Sequence, residues 1–186
     1  MDIGASSYRR FLDGDDEAFV EIIKNYKDSL ILYLNSFTHN LDAAEDLMED
    51  TFLKIITQKP IYRPSASFKV WLFAIARNIA RDWYRKQVKH KAIPIEAIAS
   101  NLIAADNLEQ QYLSTERQIL VYRALRRIHS DYAQVLYLVF FEDLNNSQVS
   151  LIMKKSKRQV ENLLYRAKQA LKSQLEKDGF IYEGLS

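Results

Sequence analysis

Cysteine is absent from this 186-residue chain, and glycine and proline are scarce, with four and three residues. Without cysteine the protein can hold neither disulfides nor thiolate metal sites. A composition of 48% hydrophobic and 27% charged residues with few helix breakers indicates a globular, helix-rich protein. No apolar run approaches the ~20 residues of a membrane span, and the first residues lack the basic start and apolar run of a secretory signal. These absences predict a soluble, cytoplasmic protein without membrane insertion.

Signals of enzymatic chemistry are also lacking. The three histidines, His39, His90 and His129, lie in different segments without metal-ligand spacing. There is no glycine-rich loop to hold a phosphate and no nucleophile elbow. The sequence therefore predicts a protein that is not an enzyme, with no catalytic residue, no metal site and no cofactor.

Charge is arranged in four blocks of alternating sign. Residues 41–53 hold five acids and no base, and residues 77–91 hold six Lys or Arg against one acid. Residues 92–116 hold four acids and no base, and residues 154–172 hold seven bases against one acid. One such block is commonly a solvated helix face, whereas four indicate separate surfaces for separate partners.

Helical periodicity dominates the chain, with no convincing strand alternation. The expected helices begin after Asp15 or Asp16, at Asp42, after Ser67, near Glu116 and near Tyr132. The segment "AIPIEAIASNLIAADN", with a proline and little charge, indicates a linker. The predicted fold is all-α, with two helical domains joined by a linker and a helix-turn-helix in the second. Its expected boundaries are 1–91, 92–115 and 116–178, followed by a tail at 179–186.

The stretch "NNSQVSLIMKKSKRQVENLLYRAK" contains two helical patterns joined by a short basic turn. Capping-box spacing occurs twice, at Asn145 with Gln148 and at Ser156 with Gln159. A lysine must take the turn position that usually holds a glycine. This layout predicts a helix-turn-helix, whose second helix enters the major groove of DNA.

The second helix of this pair has one apolar stripe and one polar side when drawn at ~100° per residue. The polar side carries Arg158, Asn162, Tyr165 and Gln169, flanked by Lys157, Gln159 and Arg166. Arginine and asparagine can pair bidentately with guanine and adenine, while lysine and arginine neutralise phosphates. The pattern indicates duplex DNA binding; the alternative is an ordinary surface helix with a basic outer face.

The helix expected after Ser67 has a second cationic face. Arg77, Arg81 and Arg85 share it, with Asn78 at its edge and Tyr84 beside it. Arginines next to aromatic and amide groups suit a single nucleic-acid strand, because phosphates can be paired while bases stack. A solvated arginine row is the alternative.

The helix expected from Asp42 has an acidic outer face. Its acids are Glu45, Asp46, Glu49 and Asp50. Acids spaced by three or four residues repel one another on an exposed helix, and no His, Lys or Cys accompanies them for catalysis. The row therefore favours a basic protein partner over an active site.

Taken together in this order, the segments resemble bacterial RNA polymerase sigma factors of the sigma-70 family, extracytoplasmic-function type. The resemblance is carried by "FLDGDDEAF", "DAAEDLMEDTFLKI", "SFKVWLFAIARNIARDWYRK" and the helix-turn-helix continued through "LLYRAKQAL". It implies a transcription initiation factor that binds core RNA polymerase, reads promoter −35 and −10 elements and aids strand opening. It also implies an anti-sigma factor as a further partner.

The resemblance assigns roles to three sets of residues. The core-polymerase set is Glu45, Asp46, Glu49 and Asp50. The −10 set is Tyr62, Ser67, Phe68, Arg77, Asn78, Arg81, Tyr84 and Arg85, with Asn78 and the loop 62–68 near a flipped base. The −35 set is Ser156, Lys157, Arg158, Gln159, Asn162, Tyr165 and Arg166.

The chain departs from the family pattern at several positions. Glu49 replaces a frequent Gln, Ala74 a usual Arg, and Ser150 and Lys154 the usual Ala and Gly; "IHSDYAQ" replaces a Leu-Pro start and an Arg. Two alternatives therefore stay open. One is a stand-alone helix-turn-helix regulator that binds DNA as a dimer, and the other is a sigma-like decoy that binds protein partners without reading DNA.

Overall fold

The computed structural model describes residues 2–90 and 115–179, and within those two ranges the chain forms eight helices and no strand. The helices are α1 (Ile3–Leu12), α2 (Asp16–Thr38), α3 (Leu41–Gln58), α4 (Phe68–His90), α5 (Glu116–Leu125), α6 (Ser130–Phe140), α7 (Asn146–Met153) and α8 (Lys157–Lys177). The all-α prediction is confirmed. Nearly all of the predicted linker, 92–115, and most of the tail, 179–186, lie outside the described residues.

The caps read from the sequence form in the structure. The Asp15 side chain accepts a hydrogen bond from the Ala18 amide at 3.3 Å, which caps α2. The two capping boxes, Asn145 with Gln148 and Ser156 with Gln159, both close. Each such cap satisfies amide groups that the first helical turn leaves unpaired, a contribution of about 1 kcal/mol.

Helix α1 was not among the expected elements. One carboxylate explains its position, because Asp2 accepts hydrogen bonds from the Ala5 amide at 3.1 Å and from the Phe68 amide at 2.7 Å. Asp2 thereby caps α1 and the start of α4 together. Tyr8 and Phe11 on the inner side of α1 are buried, so tertiary packing holds this short helix in place.

The first four helices share one core. Helix α2 packs on α1, α3 and α4, and it buries Phe19, Ile22 and Leu30 between them. Complete burial of each such side chain contributes roughly 1.5–3 kcal/mol. The rings of Tyr8, Tyr26, Tyr62 and Trp71 surround Phe68, with centroids 5.2–5.7 Å from its own.

Helices α5 to α8 form the second group, in which α8 packs on α5, α6 and α7. The turn between α7 and α8 is made by Lys154, whose φ of 52° is left-handed. A residue with a Cβ pays roughly 1–2 kcal/mol for this conformation relative to the right-handed one. The Lys154 amide donates to the Ser150 carbonyl, so the turn closes without glycine.

The two groups of helices pack against each other. Helix α2 lies on α6, and α4 lies on α7. The hydroxyl of Tyr122 donates to the Leu32 carbonyl at 2.6 Å, and the hydroxyl oxygen of Tyr137 lies 3.2 Å from the Ser29 carbonyl oxygen. The sequence does not predict whether the two groups pack together; in the structure they form a closed arrangement.

Candidate nucleic-acid and protein interfaces

Helix α3 presents the acidic row as an open surface. Asp46, Glu49 and Asp50 are exposed and Glu45 is half-buried, while Leu47, Phe52 and Ile55 face the core. At the C-terminal end of the same helix two apolar side chains, Leu53 and Ile56, are 58% and 41% exposed. The helical pattern does not reveal this pair, because the sequence alone does not distinguish an exposed apolar side chain on a helix from one that faces the core.

The acidic row and the two apolar side chains together form one surface of α3. Negative charges in a row favour a basic partner and speed its approach, whereas exposed apolar groups favour a partner that buries them. Among the described residues, no group of three or more His, Cys, Asp or Glu could hold a metal ion. The surface thus combines negative charge with two exposed apolar side chains.

Helix α4 exposes part of the predicted −10 set. Arg81, Tyr84 and Arg85 are exposed, with Tyr84 at 59%, and Asn78 is half-buried beside them. Arg85 pairs with Asp82, and this hydrogen bond lowers the pKa of the Asp82 carboxyl below its usual value. These four side chains combine cations, an amide and an aromatic ring, the groups that hold a single strand by phosphate pairing and base stacking.

Arg77 does not lie on that exposed face. Only 5% of it is accessible, and its Nε donates to Oε1 of Gln134 at 2.8 Å. The expectation of an outward arginine came from the periodicity of α4 alone. Because the second group of helices covers this side of α4, Arg77 is buried between the two groups and in this arrangement cannot reach a nucleic acid.

The loop 62–68 is exposed at Arg63, Pro64 and Ser65, but its predicted site residues are partly or fully covered. Phe68 is fully buried among the aromatic rings described above, so its ring is not available to a flipped base. The hydroxyl of half-buried Tyr62 donates to the Ala66 carbonyl at 2.7 Å, and the hydroxyl of Ser67 accepts from the Val70 amide at 3.4 Å. Phe68 and Ser67 position the start of α4, and Tyr62 shapes the loop before it.

Helix α8 presents the whole predicted −35 set on one exposed side. The exposed residues are Ser156, Lys157, Arg158, Gln159, Asn162, Tyr165 and Arg166. Opposite them, Val160 and Ala167 are fully buried against the other helices. Ser156 and Gln159 serve the capping box at 3.2 and 2.7 Å, so they also hold the first turn of the helix in place.

A shallow groove of about 240 Å³ runs along this side of α8. It is lined by Lys155, Gln159, Asn162, Leu163 and Arg166. Lys155 was not in the predicted set; its Nζ lies 3.4 Å from the Asp131 carboxylate. Four of its five lining side chains carry hydrogen-bond donors, which suits phosphates and base edges.

No helix among the described residues is long and apolar enough to span a bilayer.

The chain is similar to sigma factors in both sequence and structure. Residues 22–90 match Sigma-70 region 2, and residues 118–171 match Sigma-70, region 4. RNA polymerase sigma factor CarQ of Myxococcus xanthus is 32% identical over 133 residues, which cover 69% of this chain and 72% of CarQ. RNA polymerase sigma factor YlaC of Bacillus subtilis is 28% identical over 162 residues, covering 87% of this chain and 94% of YlaC.

Two solved structures share the fold. CnrH, in complex with the cytosolic domain of CnrY, superposes with a TM-score of 0.65 at 20% identity and covers 95% of this chain and 96% of its own. The sigma factor RpoE of Bartonella quintana, in complex with the anti-sigma factor NepR, also gives a TM-score of 0.65 at 20% identity and covers 85% of this chain and 96% of its own. At these identities the likeness is one of fold.

Proposed function

We propose how the surfaces of this chain bind core RNA polymerase and promoter DNA, starting from its family. The chain belongs to the extracytoplasmic-function sigma factors of the sigma-70 family and is a transcription initiation factor. It directs the polymerase to specific promoters by reading their −35 and −10 elements and aids strand opening. The observation that carries the proposal is the pair of exposed nucleic-acid faces, on α4 and on α8, within the two matched regions.

Core polymerase binds on α3. The acidic row of Glu45, Asp46, Glu49 and Asp50 meets basic groups of the polymerase, while Leu53 and Ile56 are buried by the contact. Exposure of these two apolar side chains beside a charged row supports one continuous interface.

The −35 element binds on α8. Arg158 and Asn162 read base edges in the major groove, and Lys157 and Arg166 pair with phosphates. The turn at Lys154 and both capping boxes are formed, so the unusual residues at the turn leave the helix-turn-helix geometry intact.

The −10 element binds on α4. Arg81 and Arg85 follow the opened strand, Tyr84 stacks on a base, and half-buried Asn78 holds a flipped base at the edge of this face. Base flipping costs a few kcal/mol, so contacts made only with the extruded base have to offset it. Ser67, Phe68 and Tyr62 act through the position of α4.

The domain division follows from these roles. We take residues 1–91 as the polymerase-binding and −10 domain, 92–115 as the linker, 116–178 as the −35 domain and 179–186 as a tail. The protein works in the cytoplasm with the polymerase, has no catalytic activity of its own and has an anti-sigma factor as its inhibitory partner. A stand-alone regulator would leave the surfaces of residues 22–90 without a role.

Run-off transcription tests the proposal. Purified core polymerase is mixed with the protein and with fragmented DNA of its own organism, and transcripts are mapped. We expect discrete start sites that disappear without the protein and share upstream elements. Tight core binding without transcripts would instead support a decoy that binds polymerase, and absence of core binding would contradict the assignment of α3.

A further inference from the structure

An ion pair between half-buried Lys69 and buried Glu142 joins the two groups of helices. Nζ of Lys69, on α4, lies 2.7 Å from Oε2 of Glu142, which follows α6. The Glu142 side chain is only 4% exposed, and its other oxygen accepts from the Tyr137 hydroxyl at 3.1 Å. Burial raises the pKa of Tyr137, so this hydroxyl stays a donor. The cation that neutralises this buried carboxylate therefore comes from the other group of helices.

A second polar contact lies two turns further along α4. Oε1 of Gln134, on α6, accepts from Arg77 at 2.8 Å and from the hydroxyl of Tyr33 at 3.4 Å. Three side chains from three helices thus meet at one amide oxygen. In the family resemblance Arg77 belongs to the −10 set, yet here a side chain of the −35 half holds it.

The same interface also contains a polar atom that opposes closure. Nη1 of Arg77 is buried without a hydrogen-bond partner among the described residues. A buried donor left unpaired favours exposure to water. The interface thus combines a specific ion pair with an unpaired buried donor, the Nη1 of Arg77. Such an interface resembles a transient contact between domains more than a permanent core.

Promoter geometry requires the two groups to separate. Elements centred near −35 and −10 are about 25 base pairs apart, or roughly 85 Å at 3.4 Å per base pair. Here α7 packs on both α4 and α8, so two helix-to-helix spacings of 8–10 Å place the axes of α4 and α8 within about 20 Å at their nearest points. The residues between the described ranges, 91–114, could reach about 80 Å if extended.

We propose that the free protein is held closed by a latch of two contacts, Lys69–Glu142 and Arg77–Gln134, which withdraws Arg77 from DNA and must open before both promoter elements can be read. The latch itself is a property of the free chain; its consequence for promoters rests on the proposed function. Opening releases Arg77 next to Arg81 and Tyr84, where it extends the strand-binding face of α4.

Distances between two spin labels on the free 186-residue chain test the latch. Because cysteine is absent, Gln58→Cys and Ser173→Cys, both at exposed positions, accept spin labels at single sites. We expect one narrow, short distance for the parent. Glu142→Gln combined with Gln134→Leu should raise the fraction of long distances at least five-fold. Lys172→Met removes an exposed ion pair with Glu176 at 4.0 Å and should change nothing.

Charge exchange separates opening from unfolding. Lys69→Glu should open the protein at unchanged helix content by circular dichroism, and adding Glu142→Lys should restore the short distance at least in part. Long distances in the parent, or short distances in every latch variant, would overturn the proposal. Run-off transcription with the same proteins distinguishes failure of the latch from failure of the proposed function. A parent protein that is open and transcribes refutes only the latch. A parent protein that is closed and never transcribes with core polymerase refutes only the proposed function.

Discussion

Gly4 and Phe68 touch so closely that a side chain at position 4 has no room: a Cβ there would lie 2.4 Å from Cδ1 of Phe68. Phe68 is itself fully buried among the rings of Tyr8, Tyr26 and Trp71. The close approach lets Asp2 reach the first amide of α4. Gly4 thus sets the distance between α1 and the helix that carries the −10 face.

Gly4→Ala should destabilise the protein by about 1–3 kcal/mol. In an open helix the same change stabilises by up to about 1 kcal/mol, since alanine is the better helix former. Overpacking against an immobile ring has the larger effect here. Urea denaturation followed by circular dichroism measures the difference. Ser6→Ala, exposed on the same helix, is the control and should be neutral or slightly stabilising. A Gly4→Ala protein as stable as the parent would show that α1 can move away.

His39 makes stability depend on pH in a defined window. Burial, and then the charge of Arg126, lower the pKa of His39 from 6.5 to about 4. Between these values the unfolded chain binds a proton that the folded chain does not, so stability falls as pH drops from about 6.5 towards 4. At pH 5 the loss amounts to roughly 2 kcal/mol.

His39→Asn isolates this contribution. His39 ends α2 at a φ of 55°, a left-handed conformation that asparagine tolerates, and asparagine does not titrate. Urea denaturation at pH 7.5 and pH 5.0 should show a larger loss for the parent than for the variant. Equal losses would mean that His39 is protonated in the folded protein.

Sequence patterns predicted most of the fold because helix caps and apolar stripes are local signals. Spacing predicts the caps at Asn145 and Ser156, and both form in the structure; of the two candidates Asp15 and Asp16, Asp15 caps α2. Helix α1 was missed because its position depends on Asp2 contacting Phe68, 66 residues away. No local periodicity contains such a contact.

Two candidate residues, Arg77 and Phe68, lie elsewhere than predicted because distant segments pack on them. The helical-wheel projection of α8 predicts its exposed side correctly, since that side of the helix faces solvent. The helical-wheel projection of α4 places Arg77 outward, because it contains only the residues of that helix. The second group of helices packs on the same side and covers Arg77. Phe68 was assigned to a reading loop by resemblance, whereas its burial follows from α1, the helix that the pattern did not show.

Charge reversal on α3 should weaken binding to core polymerase. Asp46→Lys with Glu49→Lys replaces attraction by repulsion at exposed positions, so we expect at least a ten-fold loss of affinity, mainly through slower association and strongest at low salt. Surface plasmon resonance with immobilised core polymerase measures both rates. Asp28→Lys, exposed on α2 outside this surface, should bind normally. An identical loss in both proteins would point to net charge rather than to the α3 surface.

Base reading by α8 should be separable from phosphate binding. Arg158→Ala or Asn162→Ala should each cost about 1–3 kcal/mol of discrimination between a −35 duplex and a scrambled one. Lys157→Ala should weaken both duplexes alike and reduce the salt dependence by about one counterion. Competition binding of the assembled holoenzyme at several salt concentrations measures these effects, with Lys172→Ala as an exposed lysine control on the same helix. If Arg158→Ala weakens both duplexes equally, its contact is to phosphate.

Asn78→Ala should impair promoter opening while leaving assembly with core polymerase unchanged. The amide lies half-buried at the edge of the exposed face of α4, where it can hold a base only after that base has left the stack. Its loss should therefore reduce the open fraction of the promoter, as measured by permanganate reactivity of unpaired thymines, with duplex binding retained. The Asn78→Ala protein should also bind more weakly to a template that is already unpaired across the −10 element, since the contact with the base is missing there too. If that template instead restores full binding and activity, Asn78 acts on strand separation alone and not as a holder of the flipped base.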